Sequence, residues 1–430
     1  MNVFIYTLGC KVNEVDSELY AQELRARGAR IATDLVDADA VILNSCSVTG
    51  RAQAQSLQFV RRALRQQPDR PVFLTGCGAA LLRLTRGDIP AGATLVAMQD
   101  RSEVASQVLG VSPTADSGEA WIQASLVRAG RRNRVDVRVQ EGCDNMCTYC
   151  VVPFVRGTRL SSKTVATAVD EVLGLARLGV HEVVLTGTEL GKYRSGDATL
   201  TDLVEMLLSA LESEGLTCRL RLSSLNPDAI TPQFASLYER HSLLCPQLHV
   251  PLQSGSDAIL ERMCRPYTTA DLCERVERLR AIDPSFSVTT DLIVGYPGEE
   301  EGDADQTLEL LRCVRFTKVH IFPYSSRPFT PAAKEVPLPP AVVSLRVHQA
   351  RDVAAGASIA YAQQFIGRTV RIISEKAAEM AAEGYSEYYL WTEATARDGQ
   401  EAMERDRFYD VAVRNVRHDG ERIILSGTAM

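Results

Sequence analysis

Short β-branched runs alternate with helical patterns over most of this chain. That alternation limits the fold more than any other feature, because strand–helix–strand units bury their apolar faces by building parallel sheets flanked by helices. Near the amino terminus the strand patterns are Val3–Tyr6, Ala40–Leu43, Val72–Leu74 and Thr94–Ala97. Helical patterns separate them at Asp16–Arg27 and Gln53–Arg65, with a shorter one near Leu81–Leu84. An open parallel sheet is expected here. Small and polar residues at Ser112–Gly118 suit a linker. A second alternating region has strand patterns at Val135–Val139, Glu182–Leu185, Cys218–Leu222, Gln247–Val250, Ser287–Ile293 and Lys318–Phe322. Helical patterns intervene at Thr164–Arg177, Leu203–Leu211, Leu272–Leu279 and Thr307–Val314. Six such strands predict a partial (β/α)6 barrel. Prolines crowd Phe322–Pro340 and break regular structure there, and Ala341–Gln364 reads as one long helix. Beyond Phe365 only short strand patterns remain, at Thr369–Ile373, Tyr388–Trp391, Tyr409–Asn415 and Glu421–Gly427. They predict a small all-β barrel, with the Ala/Glu-rich stretch Lys376–Glu383 as an exposed excursion between strands. The expected α/β organisation has units at 1–112, 135–345 and 365–430, a basic linker at 113–134 and a connecting helix at 346–364.

A chain of 430 residues needs more than one core. No run approaches the roughly 18 apolar residues of a membrane span, and the first ten residues read as a buried strand rather than a signal peptide. A cytoplasmic protein without membrane contact is therefore expected. Thiols stay reduced in that compartment, so eleven cysteines point to metal binding or catalysis rather than disulfides. The net charge of −7 argues mildly against nucleic acid as a partner. Locally the balance reverses: between Trp121 and Val165, Arg128, Arg131, Arg132, Arg134, Arg138, Arg156, Arg159 and Lys163 face only Asp136, Glu141 and Asp144. Such an excess attracts phosphates, and a solvated basic linker fits it equally well.

Two cysteine sets carry chemistry. Cys143, Cys147 and Cys150 follow a strand with the spacing C-x3-C-x2-C. Three thiolates so spaced can hold three irons of a [4Fe–4S] cluster and leave the fourth without a protein ligand. A zinc knuckle is the alternative, but no fourth Cys or His follows nearby. Cys10, Cys46 and Cys77 are far apart in sequence, yet each lies just past a strand pattern. Parallel strands would bring them to one sheet edge, where open α/β sheets bind ligands. Three unrelated buried cysteines are the competing reading. Gly9, Gly76 and Gly78 beside them would let the backbone approach a cluster. Cys218, Cys245, Cys264, Cys273 and Cys313 read as core or surface thiols, and His249 as a satisfied core histidine.

The Cys143–Cys150 run resembles the radical S-adenosylmethionine superfamily, and further segments follow in that family's order. Tyr149 matches the aromatic beside the adenine, and Gly187 and Glu189 in Thr186–Glu189 match the segment that meets the methionyl amino group. Ser223 and Ser224 match polar contacts to the cofactor, and Val294 and Gly295 in Asp291–Glu299 match the segment that packs on the adenine. Thr7–Asn13, Asn44–Thr49 and Thr75–Gly78 resemble the amino-terminal domain of the methylthiotransferases. Leu8-Gly9-Cys10-Lys11-Val12-Asn13 is most similar to the subgroup acting on N6-threonylcarbamoyladenosine in tRNA, and His249–Ser256 and Phe322–Arg327 extend the likeness. The resemblance implies two [4Fe–4S] clusters, with Cys10, Cys46 and Cys77 and Cys143, Cys147 and Cys150 as their metal-ligating and catalytic residues. It further implies S-adenosylmethionine as cofactor, a tRNA anticodon stem-loop as substrate, a reductant such as flavodoxin or ferredoxin, and action as a monomer. One S-adenosylmethionine would methylate a sulfur at the auxiliary cluster, and a second would yield the radical that removes the hydrogen at C2 of the adenine. The family's carboxy-terminal barrel, called TRAM, helps bind tRNA; Tyr385, Tyr388, Tyr389 and Arg397 are candidates to stack on bases there, with the filling of the small barrel by some of these aromatics as the stronger competing reading. Leu160 and Ser162 stand where the family commonly has arginines. Methylthiolation of isopentenyladenosine or of a protein side chain is the alternative within the family. A tRNA-binding iron–sulfur protein without radical activity is the alternative outside it.

Overall fold

The computed structural model describes residues 1–96, 103–112, 133–397, 402–420 and 422–430. The amino-terminal sheet has the strands β1 (Asn2–Thr7), β2 (Arg30–Ile31), β3 (Ala40–Ser45), β4 (Val72–Thr75) and β5 (Ala93–Leu95), all parallel in the order β2-β1-β3-β4-β5. Every residue of β3 is buried, as expected of a central strand with helices on both faces. Helices α1 (Lys11–Ala26) and α2 (Gly50–Gln66) follow β1 and β3 after short loops, and α3 (Gly76–Thr85) starts directly after β4. Both α1 and α3 start earlier than their apolar patterns suggest. Thr49 caps α2 by accepting from the Ala52 N–H at 3.1 Å. The short edge strand β2 carries too few residues for a sequence pattern.

The central unit opens with β6 (Arg134–Glu141), which pairs with the two-residue antiparallel β7 (Ser161–Ser162) and the parallel β8 (Glu182–Gly187). A small hairpin, β9 (Arg194–Ser195) and β10 (Ala198–Thr199), precedes β11 (Arg219–Leu222), which pairs with β8. Strands β12 (Gln247–His249), β13 (Ser287–Val294) and β14 (Lys318–Pro323) form a second parallel group. Single bridges, Leu220 with Leu244 and Ser224 with His249, join the two groups. The six parallel strands β6, β8, β11, β12, β13 and β14 thus form an incomplete barrel, with a continuous apolar core between strands and helices.

A helix at Pro340–Ala362 leads to the carboxy-terminal unit, with Pro340 at its first position, where a missing N–H costs nothing. Five strands, β15 (Thr369–Ala378), β16 (Ala381–Ser386), β17 (Trp391–Thr395), β18 (Phe408–His418) and β19 (Ile423–Ala429), close into a barrel in the order β15-β16-β17-β19-β18. Two expectations fail here. Lys376–Glu383 is no excursion but the tip of the β15–β16 hairpin, and Tyr388–Leu390 is a turn, with strand beginning only at Trp391. Among the described residues no helix is long and apolar enough to cross a membrane.

Candidate active site

Cys10 directly precedes α1, Cys46 follows β3, and Cys77 lies in the first turn of α3. All three stand at the carboxyl edge of one parallel sheet. Asn13 holds this edge together: its Oδ1 lies 3.9 Å from the Cys10 sulfur and 3.8 Å from the Cys77 sulfur. Its Nδ2 donates to the Leu8 and Ser45 carbonyls at 3.0 and 3.1 Å. The nearby glycines admit neighbouring loops rather than a cluster. At Gly76, with φ +84°, a Cβ would lie 2.2 Å from Asn44 Oδ1, and at Gly78 it would lie 2.7 Å from Ser45 Oγ. Burial pushes the Cys77 thiol up to about 11, against the opposing charge of Arg156, and raises that of Cys46 as well.

The second set occupies the loop after β6. Gly142, at φ +86°, lets this loop cross the next segment, since a Cβ there would lie 2.1 Å from the Arg159 carbonyl oxygen. The Cys150 N–H donates to the Cys147 carbonyl at 3.0 Å, and the Cys147 sulfur accepts from Arg265 Nη1 at 3.1 Å. Burial pushes Cys143 up to about 11 and Cys150 to about 12, with the charge of Cys147 adding to both. Loading metal onto such thiols releases protons. Among the described residues no three His, Cys, Asp or Glu side chains share the coordination sphere of one ion. Three thiolates on separate corners of an iron–sulfur cube need no such convergence.

The other expected residues divide into two groups. Glu189 joins the cysteine loop to the barrel: its Oε2 accepts from Asn145 Nδ2 at 2.9 Å and Asn226 Nδ2 at 3.0 Å, and its N–H donates to Gln140 Oε1 at 2.8 Å. Burial raises its carboxyl. Gly187 packs on the Gln140 side chain, which a Cβ would approach to 3.0 Å. The hydroxyls of Ser223 and Thr188 are buried without a hydrogen-bond partner among the described residues, the kind of orphan a bound polar ligand satisfies. Ser224 is exposed beside them. Tyr149 and Ile293 both pack against the small core that contains Tyr296. Val294 and Gly295 do not join this group. Val294 belongs to the core between strands and helices, and a Cβ on Gly295 would lie 2.6 Å from Val343 of the Pro340–Ala362 helix. Side chains alternate along a strand, so Ile293, not Val294, faces the barrel mouth.

Both cysteine loops meet at a cavity of about 170 Å³. Tyr149, Cys150 and Val151 line one wall, Val48 and Thr49 from the Cys46 loop another, and Gln253, Asp291, Ile293 and Phe322–Ser325 the rest. Val48 and Phe322, both exposed, stand in its walls, and the exposed rings of Phe154, four residues past Cys150, and Phe329 lie 6.0 Å apart. Arg156 crosses between the domains. Its Nε donates to the Cys77 sulfur at 3.1 Å, its Nη2 to Asn13 Oδ1 at 2.8 Å and Asp16 Oδ2 at 3.0 Å. Its Nη1 donates to Glu141 Oε1 at 3.4 Å. Sequence reasoning assigned no site role to Arg156, Arg265, Asn13 or Asn226; the signals present were the place of Asn13 in the Leu8–Asn13 motif and of Arg156 in the basic stretch six residues past Cys150. His249 is satisfied as expected, by Thr289 Oγ1 at 3.0 Å and Asp291 Oδ2 at 3.2 Å.

The basic stretch does not form an open phosphate-binding surface within the described residues. Arg138 pairs with Asp16, Arg156 with Asp16 and Glu141, Lys163 with Glu171 and Arg134 with Glu182. Only Arg159 of the described arginines in the stretch is exposed; Arg128, Arg131 and Arg132 lie outside the described residues. The carboxy-terminal tyrosines are likewise committed. Tyr385 and Tyr389 stack on one another at 4.5 Å, Arg134 lies 4.9 Å over Tyr389, and the Tyr388 hydroxyl donates to Asp283 at 3.0 Å. Arg397 is exposed. Ser162 accepts from the Arg194 backbone N–H at 3.0 Å, and Leu160 is exposed.

An incomplete parallel barrel with a three-cysteine loop after its first strand is the architecture of a radical S-adenosylmethionine enzyme. Residues 137–311 match the radical SAM superfamily, and residues 2–87 match a family described as uncharacterized protein family UPF0004. A radical S-adenosylmethionine methyltransferase from Kitasatospora setae, TsrM, solved with cobalamin and a [4Fe-4S] cluster, shares the fold at a TM-score of 0.54 and 16% identity, with 77% of each chain covered. The threonylcarbamoyladenosine tRNA methylthiotransferase MtaB of Thermotoga maritima is 33% identical over 97% of this chain and 95% of its own length. A tRNA-2-methylthio-N(6)-dimethylallyladenosine synthase of Acidithiobacillus ferrooxidans is 36% identical over 85% of this chain and 84% of its own. The chain belongs to the radical S-adenosylmethionine methylthiotransferase family.

Proposed function

We propose that this protein adds a methylthio group to C2 of N6-threonylcarbamoyladenosine beside the tRNA anticodon. In this reading Cys143, Cys147 and Cys150 hold a [4Fe–4S] cluster with one iron open to S-adenosylmethionine, and Cys10, Cys46 and Cys77 hold an auxiliary cluster. The observation that carries it is the single cavity with Cys150 on one wall and the Cys46 loop on another. When bound, these groups would supply radical hydrogen abstraction and the methylthio unit, chemistry that no side chain offers. The chain's own residues orient and enclose. Tyr149 and Ile293 form an apolar wall for an adenine. Glu189, Asn145, Asn226 and Arg265 form a linked polar group suited to an amino acid moiety, and the orphan hydroxyls of Ser223 and Thr188 add unused hydrogen-bonding capacity. Exposed Phe154, Phe322 and Phe329 offer ring faces to a base turned out of its stack.

The likeness to the full length of Thermotoga maritima MtaB and the Cys10-Lys11-Val12-Asn13 sequence support threonylcarbamoyladenosine as the substrate. A reductant such as flavodoxin or ferredoxin, monomeric action and a cytoplasmic location complete the reading. Digested tRNA from cells with and without the gene tests it. Loss of the 2-methylthio form of threonylcarbamoyladenosine is expected. Loss of the dimethylallyladenosine counterpart instead moves the assignment to the sister substrate, and no change in either removes tRNA as the substrate.

A further inference from the structure

Each cysteine set has one sulfur that accepts from an arginine, and the two arginines differ in origin. Cys147 accepts from Arg265, which belongs to the same domain as its cysteine loop. Cys77 stands in the amino-terminal domain, yet its donor is Nε of Arg156, which the barrel domain supplies. Arg156 ends the short helix Val152–Arg156 that follows Cys150. Val151 and Val155 pack with Cys77, Ala80 and Leu81, so this helix is seated on α3. The Arg156 side chain is 3% exposed, and its N–H groups therefore need protein acceptors. Asn13 and Asp16 hold Nη2 and Glu141 holds Nη1, which leaves Nε aimed at the sulfur. Asp16 and Glu141 offset the charges of Arg138 and Arg156. What reaches the sulfur is thus a directed N–H rather than a free cation.

Hydrogen bonds to the sulfurs and the local net charge set the potential of an iron–sulfur cluster. An N–H on a thiolate draws electron density from it and favours the reduced state. Burial opposes charge on the Cys77 sulfur, and Arg156 works against that penalty. The reaction gives this a use. Joining a carbon radical to a methylthio sulfur leaves one electron over, because the radical brings one, the sulfur a pair, and the new bond takes two. The sulfur–iron bond breaks, and the extra electron stays with the cluster that held the sulfur. A higher potential favours that outcome.

We propose that Arg156 is a positioning residue that raises the reduction potential of the auxiliary cluster from the opposite domain. The inference rests on the reading that Cys10, Cys46 and Cys77 hold that cluster. Because the donor arrives with the barrel, the raised potential exists only when the two domains are docked around the cavity.

A redox titration of the full-length protein with Cys143, Cys147 and Cys150 changed to Ala isolates the auxiliary site, with the paramagnetic resonance of the reduced cluster as readout. Arg156→Gln should retain the iron and show a more negative midpoint. Poised at the parent midpoint, its ratio of reduced to oxidised cluster should fall about tenfold, or about 59 mV for a one-electron couple. Arg156→Lys keeps the charge but not the fork that serves Cys77, Asn13 and Asp16 together, and should lie between the two. Glu141→Gln removes a negative charge beside Arg156 and leaves its N–H on Cys77, so its midpoint should move the opposite way. A residue that only braced the domains would shift neither variant, or both alike. Unchanged midpoints in iron-loaded protein, or shifts of one sign in Arg156→Gln and Glu141→Gln, overturn the tuning role. Loss of iron from Arg156→Gln and Arg156→Lys alike also overturns it, since Arg156 would then serve the fold alone. A parent protein that holds no iron overturns the auxiliary-cluster reading and the tuning with it.

Discussion

At the scale of single residues, Arg156 links the two halves of the site. It comes from the barrel domain yet donates to Cys77, Asn13 and Asp16 of the amino-terminal domain while buried. Replacing it removes one of the two arginines on Asp16, Arg138 remaining, and takes the Arg156 donor from the Cys77 sulfur. Breaking a buried ion pair costs about 3–5 kcal/mol, and the remaining Arg138 contact places Arg156→Gln at the low end. Its urea unfolding midpoint should fall clearly; a midpoint equal to wild type would show that the interdomain network carries no stability. The cysteines were legible because spacing and strand ends are written in the sequence. Arg156 was not, because nothing local distinguishes a buried arginine from a solvated one in a basic stretch. Val294 and Ile293 illustrate a finer limit. Within that strand, which of two adjacent residues faces the cavity depends on register, and a one-residue shift reverses every side chain.

At the scale of elements, β11 fastens the carboxy-terminal barrel to the central one. Arg219 donates to the Arg371 and Tyr385 carbonyls, and Arg221 to those of Ser386 and Glu387, at 3.0–3.1 Å. Both arginines, with Arg134, surround the fully buried carboxylate of Glu182. Burial alone would raise that carboxyl, but Arg221, Arg219 and Arg134 outweigh it and hold it well below the usual carboxylate range. The unfolded chain therefore takes up this proton first as pH falls. The contribution is complete above about pH 4.3 and is lost as pH drops toward the folded-state value. Glu182→Gln should lower the thermal midpoint at pH 7 and flatten its fall between pH 5 and 3; an unchanged acid profile would remove Glu182 as its source. This fastening also explains the misread turn. Tyr388 and Tyr389 have strand-forming side chains, yet Tyr389 adopts φ +62° and lies between Arg134 and Arg221. Tertiary contact overrides local preference there. In the β15–β16 hairpin, Ala and Glu are poor strand formers, and barrel closure recruits them.

For the whole molecule, the two cysteine sets stand on separate sheets, one at the edge of β1, β3 and β4 and the other in the loop after β6, and their loops meet at one cavity. They should therefore load independently. After anaerobic reconstitution, Cys10→Ala with Cys46→Ala and Cys77→Ala should hold about four irons per chain instead of about eight, and still form 5′-deoxyadenosine from S-adenosylmethionine. Loss of all iron, or no loss, would contradict two separate clusters. All six barrel strands and the parallel amino-terminal sheet were legible, since alternation and apolar runs specify parallel β/α units. The way the domains face one another was not, because it depends on a few buried pairs such as Arg138 with Asp16 and on the Arg327 contacts to Ser47 and Gln53.

The placement of the amino-terminal cysteines also has a consequence for how the protein matures. Cys143, Cys147 and Cys150 lie within one loop, so the chain can gather them around iron before the barrel that follows has formed. Cys10, Cys46 and Cys77 are tens of residues apart and meet only after β1, β3 and β4 have paired. Closing those long loops without a sheet is entropically unfavourable, so the auxiliary site has to be filled on an already folded scaffold. Biogenesis thus has an order built into the topology, and the machinery that delivers iron and sulfide meets two different acceptors, a flexible ribbon and a finished sheet edge.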